Sequence, residues 1–156
     1  MRFNDYIFAF DFDGTLVKST HFENIEKNRQ NFKEFKMFLN PDAFELNWAI
    51  VTSRPKTDIK LLKECLERNQ AVNFKALLTQ PYDIPVTKCD EEYTIKARNL
   101  FKLHEDTQKR VVYVDNSEHV RLMVRKACYD QNRDNDFLFK DTVTLFNHFV
   151  KGEFDK

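Results

Sequence analysis

The sequence predicts an α/β fold in which a parallel sheet of about five strands lies between two layers of helices. Short apolar runs of strand length alternate along the chain with stretches whose apolar residues recur at helical spacing. Such alternation is typical of right-handed strand–helix–strand units, which build a three-layer sandwich. The chain has 156 residues and no internal repeat, so we expect one domain over residues 1–156.

The composition is that of a globular protein, with 42% hydrophobic and 32% charged residues. The formal net charge is zero, which gives no general attraction to nucleic acid or to an anionic membrane. Three widely spaced cysteines form no CxxC pair, so neither a zinc ribbon nor a disulfide framework is expected. No apolar run reaches the ~20 residues that span a bilayer, and no signal-peptide pattern is present. We therefore expect a cytoplasmic (intracellular) protein with no membrane contact.

Five apolar runs are the predicted strands. The first, Tyr6–Phe10, is apolar throughout, which is typical of a strand covered on both faces. The other four lie at residues 46–52, 74–78, 110–114 and 137–139.

Amphipathic helices are predicted between these strands, at residues 57–68, 90–103, 117–127 and 141–150. Asp90 and Asp141 are the predicted N-caps of the second and fourth of these helices. Residues 18–45 are predicted to form a small helical insert rich in phenylalanine, and residues 79–89, with two prolines, a loop.

Three of the predicted strands end in polar clusters, which are Asp11 with Asp13, Thr52 with Ser53, and Asp115 with Asn116. Because the carboxyl ends of parallel strands meet at one edge of a sheet, we expect these clusters to surround one crevice. Gly14, one of two glycines in the chain, is expected to make a sharp turn after the first cluster. Oxygen ligands without histidine or cysteine suit a hard cation such as Mg²⁺, which pairs naturally with phosphate.

The order of these motifs resembles that of the haloacid dehalogenase (HAD) superfamily of phosphatases, over residues 6–120. The run Asp11-Phe12-Asp13-Gly14-Thr15-Leu16 matches its first motif, Thr52-Ser53-Arg54 its second and Asp115-Asn116 its fourth. The resemblance implies a Rossmann-like fold and Mg²⁺-dependent hydrolysis of a phosphate monoester through an aspartyl-phosphate.

The resemblance also implies a role for each motif residue. Asp11 would be the nucleophile, Asp13 the general acid and then base, and Thr52 would bind the phosphoryl oxygens. The implied substrate-binding residues are Gly14, Thr15, Ser53 and Arg54. The implied metal ligands are Asp11, Asp13 through its backbone carbonyl, Asp115 and Asn116.

The catalytic lysine of the third motif has two candidates. Lys96 is preferred, since Leu100 and Leu103 follow it as in the family's helix before the fourth strand. Lys88, in the preceding loop, is the alternative. Asn116 stands where the family often has a second acid, and its amide oxygen would coordinate a metal without supplying charge.

Several residues also have simpler interpretations. Thr52 and Ser53 suit the cap of the next helix. Arg54 suits a surface ion pair. Three basic residues lie at helical spacing, which suits either a solvated helix face or a basic stripe for a polyanion. They are Arg121, Arg125 and Lys126.

The insert of residues 18–45 is too short for a full cap domain, so the resemblance implies an open active site. Open members of the superfamily tend to act on large phosphorylated substrates, such as a polynucleotide end or a protein, or to use a partner or a second copy as a lid. A catalytically weak binding or regulatory module remains an alternative, as does a phosphotransferase or mutase. A mutase normally needs a cap, and the chain has no Gly-rich loop of an ATP-dependent kinase.

Overall fold

A computed structural model of the protein describes residues 5–17, 47–68, 71, 73–81 and 89–151, and it confirms the predicted α/β fold. Five parallel strands form one sheet in the order β3-β2-β1-β4-β5. These strands are β1 (Tyr6–Phe10), β2 (Trp48–Pro55), β3 (Leu77–Gln80), β4 (Arg110–Val114) and β5 (Phe137–Lys140). The helices are α1 (Ile59–Arg68), α2 (Cys89–Thr107), α3 (Glu118–Tyr129) and α4 (Thr142–Val150).

The sheet is covered on both faces, because every side chain of β1 is buried and successive side chains point to opposite faces. Tyr6, Phe8 and Phe10 pack in one apolar cluster, which also contains buried side chains of α1 and α4. Ile7 and Ala9 pack in a second cluster with buried side chains of α2 and α3. The molecule is therefore a three-layer sandwich, as the sequence predicts.

The order of the strands reverses at β1. The chain passes from β1 outwards to β2 and β3, and then returns to the other side of β1 for β4 and β5. The carboxyl ends of β1 and β4 are thus neighbours at a topological switch point, where α/β sheets bind their ligands.

The predicted end of β2 is wrong. This strand continues to Pro55 and is followed by a 3₁₀ turn, Lys56–Asp58, before α1 begins. Thr52 and Ser53 therefore lie inside the strand and do not cap α1. The Thr52 hydroxyl instead accepts a hydrogen bond from the backbone N–H of Arg54, at 3.2 Å.

The predicted position of β3 is also wrong, by about three residues. Ile50 and Val51 of β2 pair with Leu77 and Leu78, which sets the register of the strand and moves Thr79 and Gln80 from the predicted loop into it. Phe74, predicted to begin this strand, packs edge-on against Trp48, with ring centroids 5.8 Å apart.

Of the two predicted helix N-caps, one is confirmed and one is wrong. Helix α2 begins at Cys89, so Asp90 lies inside its first turn and is not its N-cap. Asp141 does cap α4, since its carboxylate accepts a hydrogen bond from the Thr144 backbone N–H. Ser117 is the N-cap of α3 and accepts from the Val120 backbone N–H. Residues 18–45, predicted as a helical insert, and Lys88 lie outside the described residues.

Candidate active site

Two buried carboxylates lie side by side at the switch point. Asp11 follows β1 and Asp115 follows β4, with 6% and 1% of their surfaces exposed. The backbone N–H of Asp11 donates to the Val114 carbonyl at 2.9 Å, which extends the pairing of β1 and β4 by one residue. The sheet itself therefore fixes both backbones, and it brings together the ends of two strands that are distant in sequence.

Lys96 of α2 enters the same site. Its neighbours on the helix, Tyr93, Ala97 and Leu100, are buried in the core between α2 and the sheet, so the lysine also lies on the buried face. The ammonium donates to Asp11 Oδ1 at 2.9 Å and lies 3.9 Å from Asp115 Oδ2. The carboxylates of Asp11 and Asp115 share the single ammonium of Lys96, so this buried group of three side chains carries a net negative charge when both carboxylates are ionised.

Burial raises the pKa of Asp11 from 3.8 to about 6. The neighbouring ammonium of Lys96 opposes this rise, whereas the negative charge of Asp115 adds to it. Burial alone would lower the pKa of Lys96, but the charges of Asp11 and Asp115 outweigh burial and raise it above its ordinary value. The lysine is therefore held as a cation against the first aspartate.

Tyr113 belongs to this network, and sequence reasoning missed it. Its hydroxyl donates to Asp115 Oδ2 at 2.7 Å and accepts from the Lys96 ammonium at 3.4 Å. Burial raises the pKa of this phenol well above 10, so it stays neutral. The signal in the sequence is its position two residues before Asp115, because side chains two apart in a strand share a face.

The loop after β1 turns back at Gly14, whose φ of +81° is the left-handed conformation that favours glycine. No atom lies within 4 Å of an added Cβ, so conformation rather than space requires this glycine. The turn places Thr15 over the first aspartate, and its hydroxyl donates to Asp11 Oδ2 at 3.3 Å. The same hydroxyl accepts from the backbone N–H of Asn116 at 3.1 Å.

Asn116 lies at the edge of the site and links three segments. Its amide nitrogen donates to the Gly14 carbonyl at 3.3 Å. Its amide oxygen accepts from the backbone N–H and the hydroxyl of Thr142, at 3.0 and 2.9 Å, at the start of α4. This oxygen is therefore engaged by α4, and its role as a metal ligand stays a prediction.

Asp13 forms an ion pair with Arg54 of β2. The guanidinium donates from Nε and Nη2 to the two oxygens of Asp13, at 2.8 and 2.7 Å, in a bidentate arrangement. A third donor, Nη1, reaches Asp58 at 3.2 Å. Thus the simpler interpretation of Arg54 as an ion-pair partner holds in this structure, and its partner is the predicted general acid itself. Asp58 is a second contact that the sequence pattern did not indicate.

Thr52 and Ser53 lie at the carboxyl end of β2, which is the neighbour of β1. Thr52 is buried with 1% of its surface exposed, and Ser53 is half-buried. The strand thus brings both hydroxyl residues to the edge of the sheet that carries Asp11. Their roles toward a phosphoryl group stay predictions.

Two carboxylates of this site could serve as metal ligands. Over residues 5–17, 47–68, 71, 73–81 and 89–151, no group of three or more His, Cys, Asp and Glu side chains is arranged to hold a metal ion. Asp11 and Asp115, joined through Lys96, are two carboxylates at one point. Magnesium usually binds to one or two carboxylates and keeps several waters, so this pair suits it better than a cation that needs a complete protein cage.

Two solved structures of a bacterial effector domain are similar to this chain. No protein-family model matches the sequence, and no curated protein sequence is significantly similar to it. The HAD domain of effector protein Lem4 from Legionella pneumophila, as an inactive mutant, is similar with a TM-score of 0.52 and 14% identity, over 88% of this chain and 84% of that one. Another structure of the same domain gives a TM-score of 0.49 and 13% identity, over 88% and 87%. The first likeness shows that this chain has a HAD-like, Rossmann-type fold.

In the described part of the chain, no helix is both long enough and apolar enough to span a membrane.

Proposed function

We propose that the protein is a Mg²⁺-dependent phosphomonoesterase that works through an aspartyl-phosphate at Asp11. The observation that carries this proposal is the environment of the Asp11 carboxylate. It is buried at the switch point, with one oxygen bound by the Lys96 ammonium and the other by the Thr15 hydroxyl. Burial with fixed donors orients a carboxylate for attack, as a nucleophile requires.

The reaction would run in two steps on this chain's own residues. The Asp11 carboxylate attacks phosphorus and the bond from phosphorus to the ester oxygen breaks, while Asp13 gives a proton to the leaving oxygen. Asp13 then takes a proton from water, which attacks the aspartyl-phosphate and releases inorganic phosphate and the free carboxylate. Lys96 stays beside Asp11 and balances the charge of the transferring group.

Magnesium, held by Asp11, Asp115 and the Asp13 backbone carbonyl, would add positive charge next to the phosphoryl oxygens. Thr52, Ser53, Thr15 and the Gly14 backbone would bind the remaining oxygens of that group. Lys96 is favoured over Lys88 as the catalytic lysine because it is buried against Asp11.

Arg54 has a specific part in this scheme. Its guanidinium pairs with Asp13, so Asp13 must release it before carrying the proton to the leaving group. A phosphoryl group offers Arg54 an alternative bidentate partner of the same kind. We infer that arrival of the substrate frees Asp13 as it engages Arg54.

The proposed substrate is a phosphorylated macromolecule, either a polynucleotide end or a protein, in an open site that a partner or a second copy covers as a lid. The basic side of α3 supports this class. Arg121 donates to the Asp115 backbone carbonyl at 2.7 Å, so this helix starts at the site. Arg125 and Lys126 lie further along it and are exposed to solvent.

The first experiment measures hydrolysis of p-nitrophenyl phosphate with and without Mg²⁺. Asp11→Asn should lower turnover by at least about 10³-fold, since the attacking group is lost. The matched control is Asp106→Asn, the same change at an exposed carboxylate of α2, which should keep full turnover. Turnover that survives Asp11→Asn contradicts the nucleophile assignment.

Two further experiments identify the catalytic lysine and the class of substrate. Lys96→Ala should abolish turnover and Lys88→Ala should not. A screen of nucleotides, 3′- and 5′-phosphorylated oligonucleotides, phosphopeptides and sugar phosphates would give the substrate class. Absence of turnover on every one of them, with Mg²⁺ bound, favours a binding module instead.

A further inference from the structure

We propose that Tyr113 is a positioning residue that keeps Lys96 on Asp11 and so leaves the Asp115 carboxylate free to hold the metal ion. This inference rests on the magnesium site of the proposed function. It concerns the one neutral hydroxyl that contacts both the lysine and the second aspartate in the described network.

The geometry keeps the Lys96 ammonium and the Asp115 carboxylate in an ion pair that is too long for a direct hydrogen bond. The Tyr113 hydroxyl is 2.7 Å from Asp115 Oδ2 and 3.4 Å from the Lys96 ammonium. The ammonium is 3.9 Å from that same Oδ2, which is too long for a hydrogen bond, whereas it is 2.9 Å from Asp11 Oδ1. The phenol thus bridges the lysine and the second aspartate.

The two hydrogen bonds that orient the Asp115 carboxylate in this network come from neutral donors, and the Lys96 ammonium lies further away at 3.9 Å. Oδ2 accepts from the Tyr113 hydroxyl, and Oδ1 accepts from the backbone N–H of Ser117 at 2.8 Å. Neutral donors fix the direction of a carboxylate without cancelling its charge. Hydrogen-bonding partners of this kind orient the carboxylates that bind metal ions in proteins.

A simpler interpretation is that Tyr113 only fills the core and satisfies its own hydroxyl. Its ring is fully buried and packs edge-on against Phe139, with centroids 6.2 Å apart. Phenylalanine would fill nearly the same space, so the two interpretations differ in the hydroxyl alone. Without it, no described hydroxyl bridges Lys96 and Asp115, and we expect the ammonium to move closer to Oδ2 and offset its charge.

The test measures metal binding directly, by isothermal titration with Mg²⁺ and by electron paramagnetic resonance with Mn²⁺, on the full chain. Tyr113→Phe should weaken both affinities by about 10-fold or more. Tyr129→Phe, the same change at an exposed position of α3, should leave them unaltered. Undiminished metal affinity in a folded Tyr113→Phe variant would overturn the proposal.

A second pair of variants tests the mechanism. If the hydroxyl acts by keeping Lys96 away from Asp115, Tyr113→Phe should cost less than about 2-fold in affinity when Lys96 is already methionine. An equal loss in both backgrounds assigns the effect to packing and overturns the proposal. The binding measurement is independent of turnover. A protein that binds Mn²⁺ but hydrolyses no phosphate ester therefore contradicts the proposed phosphatase activity and leaves the role of Tyr113 standing.

A measurement on the wild-type protein covers the case in which Tyr113→Phe does not fold. With ¹³C-labelled tyrosine, the Cζ resonance of Tyr113 should shift on addition of Mg²⁺, because its hydroxyl donates to a metal ligand. The Tyr129 resonance should not shift. A Tyr113 resonance unmoved by saturating Mg²⁺, or a wild-type protein that binds no divalent cation, overturns the proposal.

Discussion

Asp11 is a buried residue with an ionisable side chain. Its carboxylate is buried beside a second carboxylate, and a single ammonium serves both. Burial raises its pKa to about 6, against 3.8 in the unfolded chain. The fold therefore favours the protonated form of this group over a range in which the unfolded chain has already lost the proton.

This shift predicts how stability changes with pH in the metal-free protein. Between about pH 4 and about pH 6 the folded state binds more protons at Asp11 than the unfolded state, so this residue's contribution to stability falls as pH rises. Asp11→Asn removes that contribution. The free energy of unfolding of the wild type, relative to Asp11→Asn, should fall by up to about 3 kcal/mol across this window.

The measurement is guanidinium denaturation of both proteins at several pH values from 4 to 7, with a chelator present. The difference between the two proteins matters, because all other titrating groups are shared. Loss of the ion pair with Lys96 in the variant adds an offset but no slope in this window. A difference that is flat, or that favours the wild type more at higher pH, would contradict the raised pKa of Asp11.

At the residue scale, the sequence predicted the residues that follow strands. Asp11 and Asp115 were predictable because each follows an apolar run, whereas Lys96 was preferred through the resemblance to the HAD superfamily, whose catalytic lysine lies in the helix before the fourth strand. Tyr113 and Asp58 were not predicted as site residues. Tyr113 lies within a predicted strand, and Asp58 lies at the start of a predicted helix. The spacing of Tyr113 from Asp115 is visible in the sequence, but its contact with Lys96 of another element is not.

At the scale of elements, α4 is connected to the site through its first turn. Asp141 caps the helix by accepting from the Thr144 backbone N–H, and Thr142 binds the amide oxygen of Asn116. Leu145 of the same helix is buried against the sheet. The cap therefore orients the first turn of α4, which contacts the site loop through Thr142 and packs in the core through Leu145.

Removal of this cap should destabilise the protein. Asp141→Ala leaves a backbone N–H of the first turn without its acceptor, which costs about 1 kcal/mol at pH 7. The hydrogen bond to Thr144 lowers the pKa of Asp141 below 3.8, so this stabilisation is present above pH 4 and is lost as pH falls through the lowered value. Urea denaturation at pH 7 and near pH 3 measures both effects.

Asp141→Asn is the matched control, because asparagine keeps the acceptor and loses the titration. It should cost a few tenths of a kcal/mol or less at pH 7. If Asp141→Ala is as stable as the wild type at neutral pH, the cap contributes nothing and α4 is held by Leu145 and its packing alone.

Element boundaries were predictable where burial decided them. The limits of β1 and β4 are those expected from the sequence, since both are continuous apolar runs in the middle of the sheet. The edge strand β3 was misplaced because its register depends on pairing with β2, and its apolar residues also suit the preceding turn. The limits of β3 are therefore set by its pairing in the sheet and not by its local composition.

At the scale of the whole molecule, strand order determines what the motifs can do. The alternation of strands and helices predicted a parallel sheet, but it did not specify that β4 would lie beside β1. Because β1 and β4 are adjacent, Asp11 and Asp115 lie side by side although they are distant in sequence. Both strands are central, so the charge of the site is surrounded by the two apolar clusters that stabilise the whole fold.

This arrangement predicts that a divalent cation stabilises the entire domain. Two buried carboxylates that follow adjacent central strands share one ammonium, and we expect a cation to relieve their repulsion in the folded state alone. Ligand at 100 times its dissociation constant adds about 2.7 kcal/mol to the free energy of unfolding. For a domain of this size, we expect saturating Mg²⁺ to raise Tm by roughly 5–10 °C.

Differential scanning calorimetry in MgCl₂, compared with NaCl of equal ionic strength, measures this shift. Asp115→Asn should abolish most of it, because the strand end then supplies one charge fewer to the metal. Asp106→Asn, at an exposed carboxylate outside the site, should keep the full shift. A shift that persists unchanged in Asp115→Asn would locate the cation elsewhere on the surface. The carboxyl ends of β1 and β4 would then hold a structural ion pair instead of a metal site.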